Sequence, residues 1–244
     1  MLLLKNTVSK FFVLICLFFY LYSVPLSFIP LHVGSRVVLA VAGFFILIFH
    51  LAKQAGIRKD ILIKKDILIY AGIFALLIFF SLTAIFLNGT KDLEFVTYPV
   101  SLSLILLAAY FIHFIVKKTN RIVTYETIMN LIVTAVLIQV LLALFSFLSP
   151  AVSNFLLSIQ SINELEASKI QETMTLRLVG FGSTFFGAGL INGFALMTIA
   201  VLVKKPGISY YRIFLLSLAF LIIFVLGMMM ARTTIIGFVL AIVY

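Results

Sequence analysis

The sequence predicts an all-α fold, a polytopic transmembrane helix bundle, and three observations lead to this prediction. Hydrophobic residues make up 64% of the 244 residues and charged residues only 11%, whereas ordinary globular domains contain about 45–50% and about 25%. The apolar residues are collected in runs of roughly 20, which as helices cross a hydrocarbon layer of about 30 Å. The lysines and arginines lie in short clusters between these runs.

Seven apolar runs are long enough to cross a membrane as helices. The first follows the basic start MLLLKNTVSK but lacks a small-x-small cleavage site. We therefore expect it to remain as a membrane span rather than to be removed as a signal peptide. The seven predicted spans are residues 11–31, 37–52, 67–87, 98–116, 131–149, 178–203 and 213–231.

The apolar run at the C-terminal end must be interrupted. If residues 213–244 formed one helix, its 32 residues would extend about 48 Å, well beyond the bilayer. An arginine at the bilayer centre costs at least about 2.5–3.5 kcal/mol, so we expect an outer hairpin at Arg232, Thr233 and Thr234. A truncated eighth span then begins at Thr233. Because a stable helix does not end within the lipid, we expect the chain to be the N-terminal part of a longer protein.

The positions of lysine and arginine predict a cytoplasmic N-terminus. Membrane proteins carry an excess of these residues in their cytoplasmic connections. With the N-terminus inside, thirteen of the eighteen fall in cytoplasmic connections and five in outer ones. The cytoplasmic set is Lys5, Lys10, Lys53, Arg58, Lys59, Lys64, Lys65, Lys117, Lys118, Arg121, Lys204, Lys205 and Arg212. The outer set is Arg36, Lys91, Lys169, Arg177 and Arg232.

We expect a single transmembrane domain over residues 1–244, with one long outer connection over residues 150–177. Apolar residues recur in this connection at near-helical spacing, at Val152, Leu156, Ile159 and Ile162. Polar residues fall between them. This pattern is typical of an amphipathic helix that lies at the membrane surface.

Neither nucleic-acid binding nor metal chemistry is indicated, although the net charge is +10. Nucleic-acid-binding proteins concentrate basic residues on one face, whereas here they separate apolar runs. Cys16 is the only cysteine, which excludes an internal disulfide and a cysteine-based metal site. The histidines His32, His50 and His113 have no partner at ligand spacing. We therefore expect no metal, no other cofactor and no nucleic-acid partner.

The sixth predicted span is rich in glycine. Five of the thirteen glycines lie between Gly180 and Gly193, in GFGSTFFGAGLING. Small residues spaced four apart allow helices to approach closely, and this packing role is one interpretation. The other is that glycine-rich backbone breaks the helix beside a cavity and exposes amide groups there. Gly180 and Asn192 would then contribute polar groups to a substrate-binding site.

Three outer arginines could bind an anionic group. Arg177 precedes the glycine-rich span, Arg232 lies at the last hairpin, and Arg36 begins the second span. A single interfacial arginine commonly extends to lipid phosphate, which is the simpler interpretation. A guanidinium also binds phosphate oxygens in a bidentate manner. Several of them at one surface would suit a pyrophosphate group.

Two sequence stretches resemble the bacterial O-antigen polymerase and O-antigen ligase superfamily. They are LRLVGFGSTFFGAGLINGFAL around Arg177 and MMARTTIIGFVLAIVY around Arg232, and together they cover roughly the last seventy residues. Members of this superfamily carry an arginine shortly before a glycine-rich, asparagine-containing span. They also carry a small residue and an arginine at the start of a later span. The large outer loop with a histidine and a further arginine, which members usually have after later spans, is not among these residues.

The resemblance implies a glycosyltransferase in the bacterial cytoplasmic membrane. Such an enzyme polymerises or ligates glycan repeat units at the outer face, from an undecaprenyl-diphosphate carrier and without a metal or nucleotide sugar, in surface polysaccharide synthesis. Its expected partners are the lipid-linked glycan, membrane lipids and other polysaccharide-assembly membrane proteins. The catalytic role carried over is the binding of the diphosphate by Arg177 and Arg232. Without the later loop, we expect the catalytic apparatus in this chain to be incomplete.

Two other classes of protein are compatible with the same hydropathy. A lipid-linked glycan flippase or other secondary transporter is also polytopic and basic, but ion-coupled transporters usually carry ionisable residues inside their spans. Here such residues lie near the predicted surfaces. An accessory membrane subunit would show the same spans without needing outer arginines.

Overall fold

The computed structural model describes residues 2–29, 33–57, 65–90, 93–120, 122–161, 170, 177–182 and 185–244. These ranges are mostly helical, which confirms the predicted all-α class. The helices are α1 (Leu2–Tyr22), α2 (Ser35–Ile57), α3 (Lys65–Asn88), α4 (Glu94–Thr119), α5 (Tyr125–Leu148), α6 (Pro150–Ile159), α7 (Phe185–Val203), α8 (Tyr210–Met230) and α9 (Thr234–Val243). In the described ranges, β pairing is limited to two isolated bridges, Pro25 with Gly34 and Leu26 with Gln160.

Several of these helices are suited to crossing a membrane. Among the described residues, five apolar helical stretches have sufficient length: Ser35–Lys53, Ile69–Asn88, Val96–Thr119, Tyr125–Leu148 and Tyr210–Met230. Shorter apolar stretches are Val8–Tyr22, Pro150–Ile159, Gly187–Val203 and Thr234–Val243. The predicted membrane character is therefore confirmed. The count of seven full spans and the cytoplasmic N-terminus stay predictions.

The chain forms two compact units. Unit 1 comprises Met1–Arg36 with Phe114–Tyr244, and unit 2 comprises Val37–His113. In unit 2, Tyr70 Oη and Ser103 Oγ lie 3.0 Å apart and link α3 to α4. His50 Nδ1 lies 2.7 Å from Tyr110 Oη, which links α2 to α4. Paired polar groups thus hold these apolar helices together, as is common where helices meet in lipid.

The core of unit 1 lies between α5 and the three C-terminal helices. Helix α7 packs against α5, α8 and α9. The core includes buried branched side chains from three helices, among them Val136, Val140, Leu196, Ile199 and Ile223. Their β-branched and γ-branched shapes fill the space between helices at the density of protein interiors. Helices α1 and α6 add to this core on the side of α5.

The contact between α7 and α9 depends on glycine. A Cβ atom on Gly237 would lie 2.1 Å from Gly193 Cα, and one on Gly189 would lie 1.8 Å from Thr233 Oγ1. The two backbones therefore approach so closely that no side chain fits between them. This geometry supports the packing interpretation of the glycine spacing.

Gly237→Ala should destabilise unit 1, because its methyl group would enter this backbone contact. Overpacking typically costs about 1–3 kcal/mol, so the variant should unfold at a lower temperature in detergent. The matched control is Gly187→Ala on α7, since a Cβ there has nothing within 4 Å. Alanine favours a helix over glycine by roughly 0.5–1 kcal/mol, so this control should not unfold earlier. Equal unfolding temperatures for the two variants would contradict the proposed contact.

The first helix is shorter than predicted at its C-terminal end. A helix was expected over residues 11–31, but α1 ends at Tyr22. Ser23 has a φ of 40°, and Val24 precedes Pro25. A left-handed residue ends many helices, and a proline moves the residue before it out of the α region. The prediction was wrong for residues 23–29 because it counted hydrophobicity and gave no weight to Pro25.

The last predicted break agrees with the structure in its position, and the predicted long connection is described only in part. Helix α8 ends at Met230 and α9 begins at Thr234, which confirms the expected break beside Arg232. Helix α6 covers the N-terminal part of the predicted amphipathic segment. Two of its apolar residues, Leu156 and Ile159, pack against the core of unit 1 rather than facing away from the protein. Ile162 and the rest of the segment to residue 169 lie outside the described residues.

Candidate functional site

The candidate site is built around a non-helical segment, residues 178–182. A helix was predicted from residue 178, but α7 begins at Phe185. Gly182 has a φ of 76°, which favours glycine. The prediction was therefore wrong for this segment, and the alternative that glycine-rich backbone interrupts the helix agrees with the structure. Ser183 and Thr184 lie outside the described residues.

Two hydrogen bonds hold this segment within the bundle. Gln139 in the middle of α5 donates from Nε2 to the carbonyl oxygen of Phe181 at 2.9 Å. The backbone N–H of Leu178 donates to the carbonyl oxygen of Met229 near the end of α8, at 3.3 Å. Backbone groups in lipid need such partners. The segment is thus tied to α5 on one side and to α8 on the other.

Gly180 is required where these contacts meet. A Cβ there would lie 2.4 Å from Gln139 Nε2 and 2.6 Å from Met230 Cε. At Gly182, a Cβ would lie 3.0 Å from the carbonyl oxygen of Tyr22, the last residue of α1. The segment therefore contacts the ends of α1 and α8 together. Gly180, expected in a substrate-binding site, is buried and has a clear packing role.

Gln139→Leu should destabilise the protein, since the buried Phe181 carbonyl would lose its donor at nearly constant side-chain volume. An unpaired buried polar group costs about 1–3 kcal/mol, which thermal unfolding in detergent can measure. Thr134→Val is the matched control on α5, because the Thr134 hydroxyl is exposed and bonds only within its own helix. Its effect should stay within about 0.5 kcal/mol. Equal effects of the two substitutions on thermal stability would show that the Gln139 hydrogen bond contributes little to the stability of the protein.

Arg177 and Arg232 lie at the same end of unit 1. Arg177 directly precedes Leu178, whose N–H binds Met229, and Arg232 follows Met229 by three residues. Both arginines are exposed. Arg212 lies at the opposite end of α8, a helix of 21 residues, which corresponds to roughly 30 Å. The two candidate catalytic residues therefore lie at the same end of unit 1, about one bilayer thickness from the charged end at Arg212.

Arg36 lies at this end as well, but its guanidinium has a defined structural role. Its Nε donates to the Tyr20 carbonyl at 2.8 Å and its Nη2 to the Leu21 carbonyl at 2.9 Å. These are among the last carbonyls of α1, which lack partners within the helix. Arg36 therefore caps α1, and three of its five N–H groups, two at Nη1 and one at Nη2, remain for a ligand.

The opposite end of unit 1 carries an ion-pair cluster. Glu126 at the start of α5 pairs with both Lys205 and Arg212. Arg212 also donates to Asn130 Oδ1 at 3.2 Å. The acidic group neutralises part of the positive charge at this end. Sequence spacing alone did not indicate the Glu126 cluster.

Asn192 is buried in the bundle between the two ends. It is 0% exposed, and both its Nδ2 and Oδ1 are without a hydrogen-bond partner. Gln139 Oε1 and Thr233 Oγ1 are also buried and unpaired. Thr234 Oγ1 donates to the Gly227 carbonyl at 3.0 Å, beside the Asn192 amide. Unpaired buried polar atoms are rare in folded proteins, and each one calls for an explanation.

Sequence reasoning identified Asn192 but missed the other buried polar groups of unit 1. Gln139 bonds to the Phe181 carbonyl in the non-helical segment after Arg177, a link that the sequence did not indicate. Thr233 was noticed only as part of the hairpin. Thr233 directly follows Arg232 at the start of a helix, and this position is the sequence signal that could have identified it. Within the described ranges, no three histidine, cysteine, aspartate or glutamate side chains come together as metal ligands.

We compared the chain with protein-family models, curated proteins and solved structures. None of the three matched it. The function is therefore inferred from the geometry of unit 1 and from the resemblance of the Arg177 and Arg232 stretches. The geometry places several guanidinium groups at one end of a membrane helix bundle, where they can bind an anion.

Proposed function

We propose that the full-length protein is a membrane glycosyltransferase that polymerises or ligates lipid-linked glycan repeat units. The donor is a glycan on undecaprenyl diphosphate, and the reaction takes place at the outer face of the bacterial cytoplasmic membrane. The observation that carries the proposal is the Leu178–Met229 hydrogen bond, because it brings the backbones of the Arg177 and Arg232 regions together. A diphosphate offers enough oxygen atoms for two guanidinium groups.

The positive charges of the arginines favour departure of a diphosphate group. The acceptor hydroxyl loses its proton to water and its oxygen forms a new bond to the anomeric carbon of the glycan, while the bond from that carbon to the diphosphate oxygen breaks. Negative charge then develops on the leaving diphosphate. Fixed cations stabilise this charge more in the transition state than in the ground state, which is the requirement for catalysis. Arg177 and Arg232 supply two such cations, and the carbonyl-bound Arg36 supplies positive potential nearby.

Deletion of the gene tests this proposal against transport. Loss of a polymerase should leave single repeat units on the cell surface, and loss of a ligase should leave complete chains on their lipid carrier. Loss of a flippase should trap lipid-linked repeat units on the cytoplasmic side, which labelling of intact and permeabilised cells can detect. Trapped units of this kind would reject the proposed glycosyltransferase in favour of transport.

A further inference from the structure

Unit 1 contains a second feature, an apolar groove that the proposed chemistry does not use. Its volume is about 360 Å³, within the range of roughly 300–1,000 Å³ that is typical of ligand pockets. All twelve side chains that line it are apolar. They are Phe11, Leu14, Ile15, Phe18, Phe19, Leu26, Phe28, Ile138, Leu142, Leu156, Ile159 and Phe181.

The groove has the form of a slot along α1. Its α1 residues run from Phe11 to Phe19, eight positions apart, which corresponds to about 12 Å of helix. Phe18 and Leu26 are buried at its floor, whereas Phe11 is 62% and Phe28 74% exposed at its mouth. The shape and apolar lining of this slot are complementary to a hydrocarbon chain, whose contacts would replace those that an empty void forfeits.

One end of the slot lies beside the Arg36 guanidinium. Arg36 binds the carbonyl oxygens of Tyr20 and Leu21, the two residues that follow Phe19. Arg177 lies four residues before Phe181, which lines the slot. Positive charge at the end of an apolar slot is complementary to a lipid with an anionic headgroup. The opposite end borders a lysine, the exposed Lys10 next to Phe11.

Five of the twelve lining residues lie on segments near the arginine end. Leu26 and Phe28 follow α1, Leu156 and Ile159 lie on α6 after α5, and Phe181 lies in the segment tied to Gln139. We propose that this groove binds one acyl chain of an anionic phospholipid, whose phosphate lies beside Arg36 and Arg177. The lipid phosphate would contact Arg177, which the proposed diphosphate site also uses, but binding of the lipid requires no glycosyltransferase activity.

Tryptophan fluorescence can test this binding, because the chain contains no tryptophan. Phe28→Trp places one fluorophore at the mouth of the groove, and Leu221→Trp places one on an exposed position of α8 that does not line it. The full chain is reconstituted in vesicles of phosphatidylcholine with a minor fraction of phosphatidylglycerol brominated on its acyl chains. Bromine quenches only a tryptophan that it contacts.

The Phe28→Trp protein should reach half-maximal quenching at about fivefold less brominated phosphatidylglycerol than the Leu221→Trp protein. An affinity difference of this size is expected for exposed charge contacts. Adding Arg177→Gln to Phe28→Trp should abolish this preference, whereas adding Lys10→Gln should leave it. Should Phe28→Trp fail to fold, Phe11→Trp reports on the other exposed end of the groove.

Three results would overturn the proposal. The first is identical quenching of the groove and α8 tryptophans. The second is equal quenching by brominated phosphatidylcholine and brominated phosphatidylglycerol, which would exclude recognition of the anionic headgroup. The third is release of the quencher by undecaprenyl phosphate but not by an equal amount of unlabelled phosphatidylglycerol, which would assign the groove to the glycan carrier.

Discussion

Arg232→Ala and Arg177→Ala in the full-length protein should each nearly abolish growth or transfer of glycan chains while leaving membrane insertion intact. Removing one preorganised group that stabilises developing charge typically lowers a rate by about 10²–10³-fold. Both arginines are exposed, so their truncation leaves the core of unit 1 unchanged. The measurement is the length distribution of surface polysaccharide in cells that produce each variant at the wild-type level.

The conservative and control substitutions sharpen this prediction. Arg→Lys at either position should restore little activity, because a lysine ammonium cannot bind phosphate oxygens in a bidentate manner. Lys117→Ala removes an exposed positive charge from a helix end where no role in diphosphate binding is assigned, and it should leave chain length unchanged. Polysaccharide of normal length in both alanine variants would reject the assignment.

Combining the two alanine substitutions examines whether the arginines act on one group. If Arg177 and Arg232 bind the same diphosphate, the double variant should lose less activity than the product of the single effects, because neighbouring groups are not additive. Strictly multiplicative losses would indicate separate ligands. The backbone contact between Leu178 and Met229 favours the first outcome.

Hydrophobicity and the cost of a buried charge were sufficient to predict most of the architecture. The break beside Arg232 followed from the excess length of the last apolar run, and the structure has α8 and α9 meeting there. The same reasoning made the predicted first and sixth spans longer than the observed helices. In both places a local backbone feature decided the outcome: Pro25 after Ser23 in one, and Gly180 with Gly182 in the other.

The candidate site was predictable only in part, because it depends on contacts between residues that are distant in sequence. Charge and position identified Arg177 and Arg232 separately. The hydrogen bond from Gln139 to Phe181 joins residues 42 positions apart, and no local pattern reveals such a pair. The carbonyl contacts of Arg36 were likewise invisible in the sequence, so its capping role was missed.

Cysteine labelling should place residues 177 and 232 on the outer side of the membrane and the start of α8 on the cytoplasmic side. In a Cys16→Ala background, the variants Arg177→Cys and Arg232→Cys should react with an impermeant maleimide on intact cells. Tyr210→Cys should react only after permeabilisation, since Tyr210 is 91% exposed but lies at the far end of α8. The physical reason is the length of α8, roughly 30 Å, which matches the hydrocarbon layer.

This experiment separates the orientation from the chemistry, because labelling needs no activity. If Tyr210→Cys reacts on intact cells and the two arginine variants do not, the N-terminus is outside and the arginines face the cytoplasm. An undecaprenyl-diphosphate glycan that has already crossed the membrane would then be beyond their reach, and the proposed reaction at the outer face would be excluded. If Arg177→Cys and Arg232→Cys react from opposite sides, no single diphosphate can bind both, since guanidinium groups bind phosphate only at hydrogen-bonding distance.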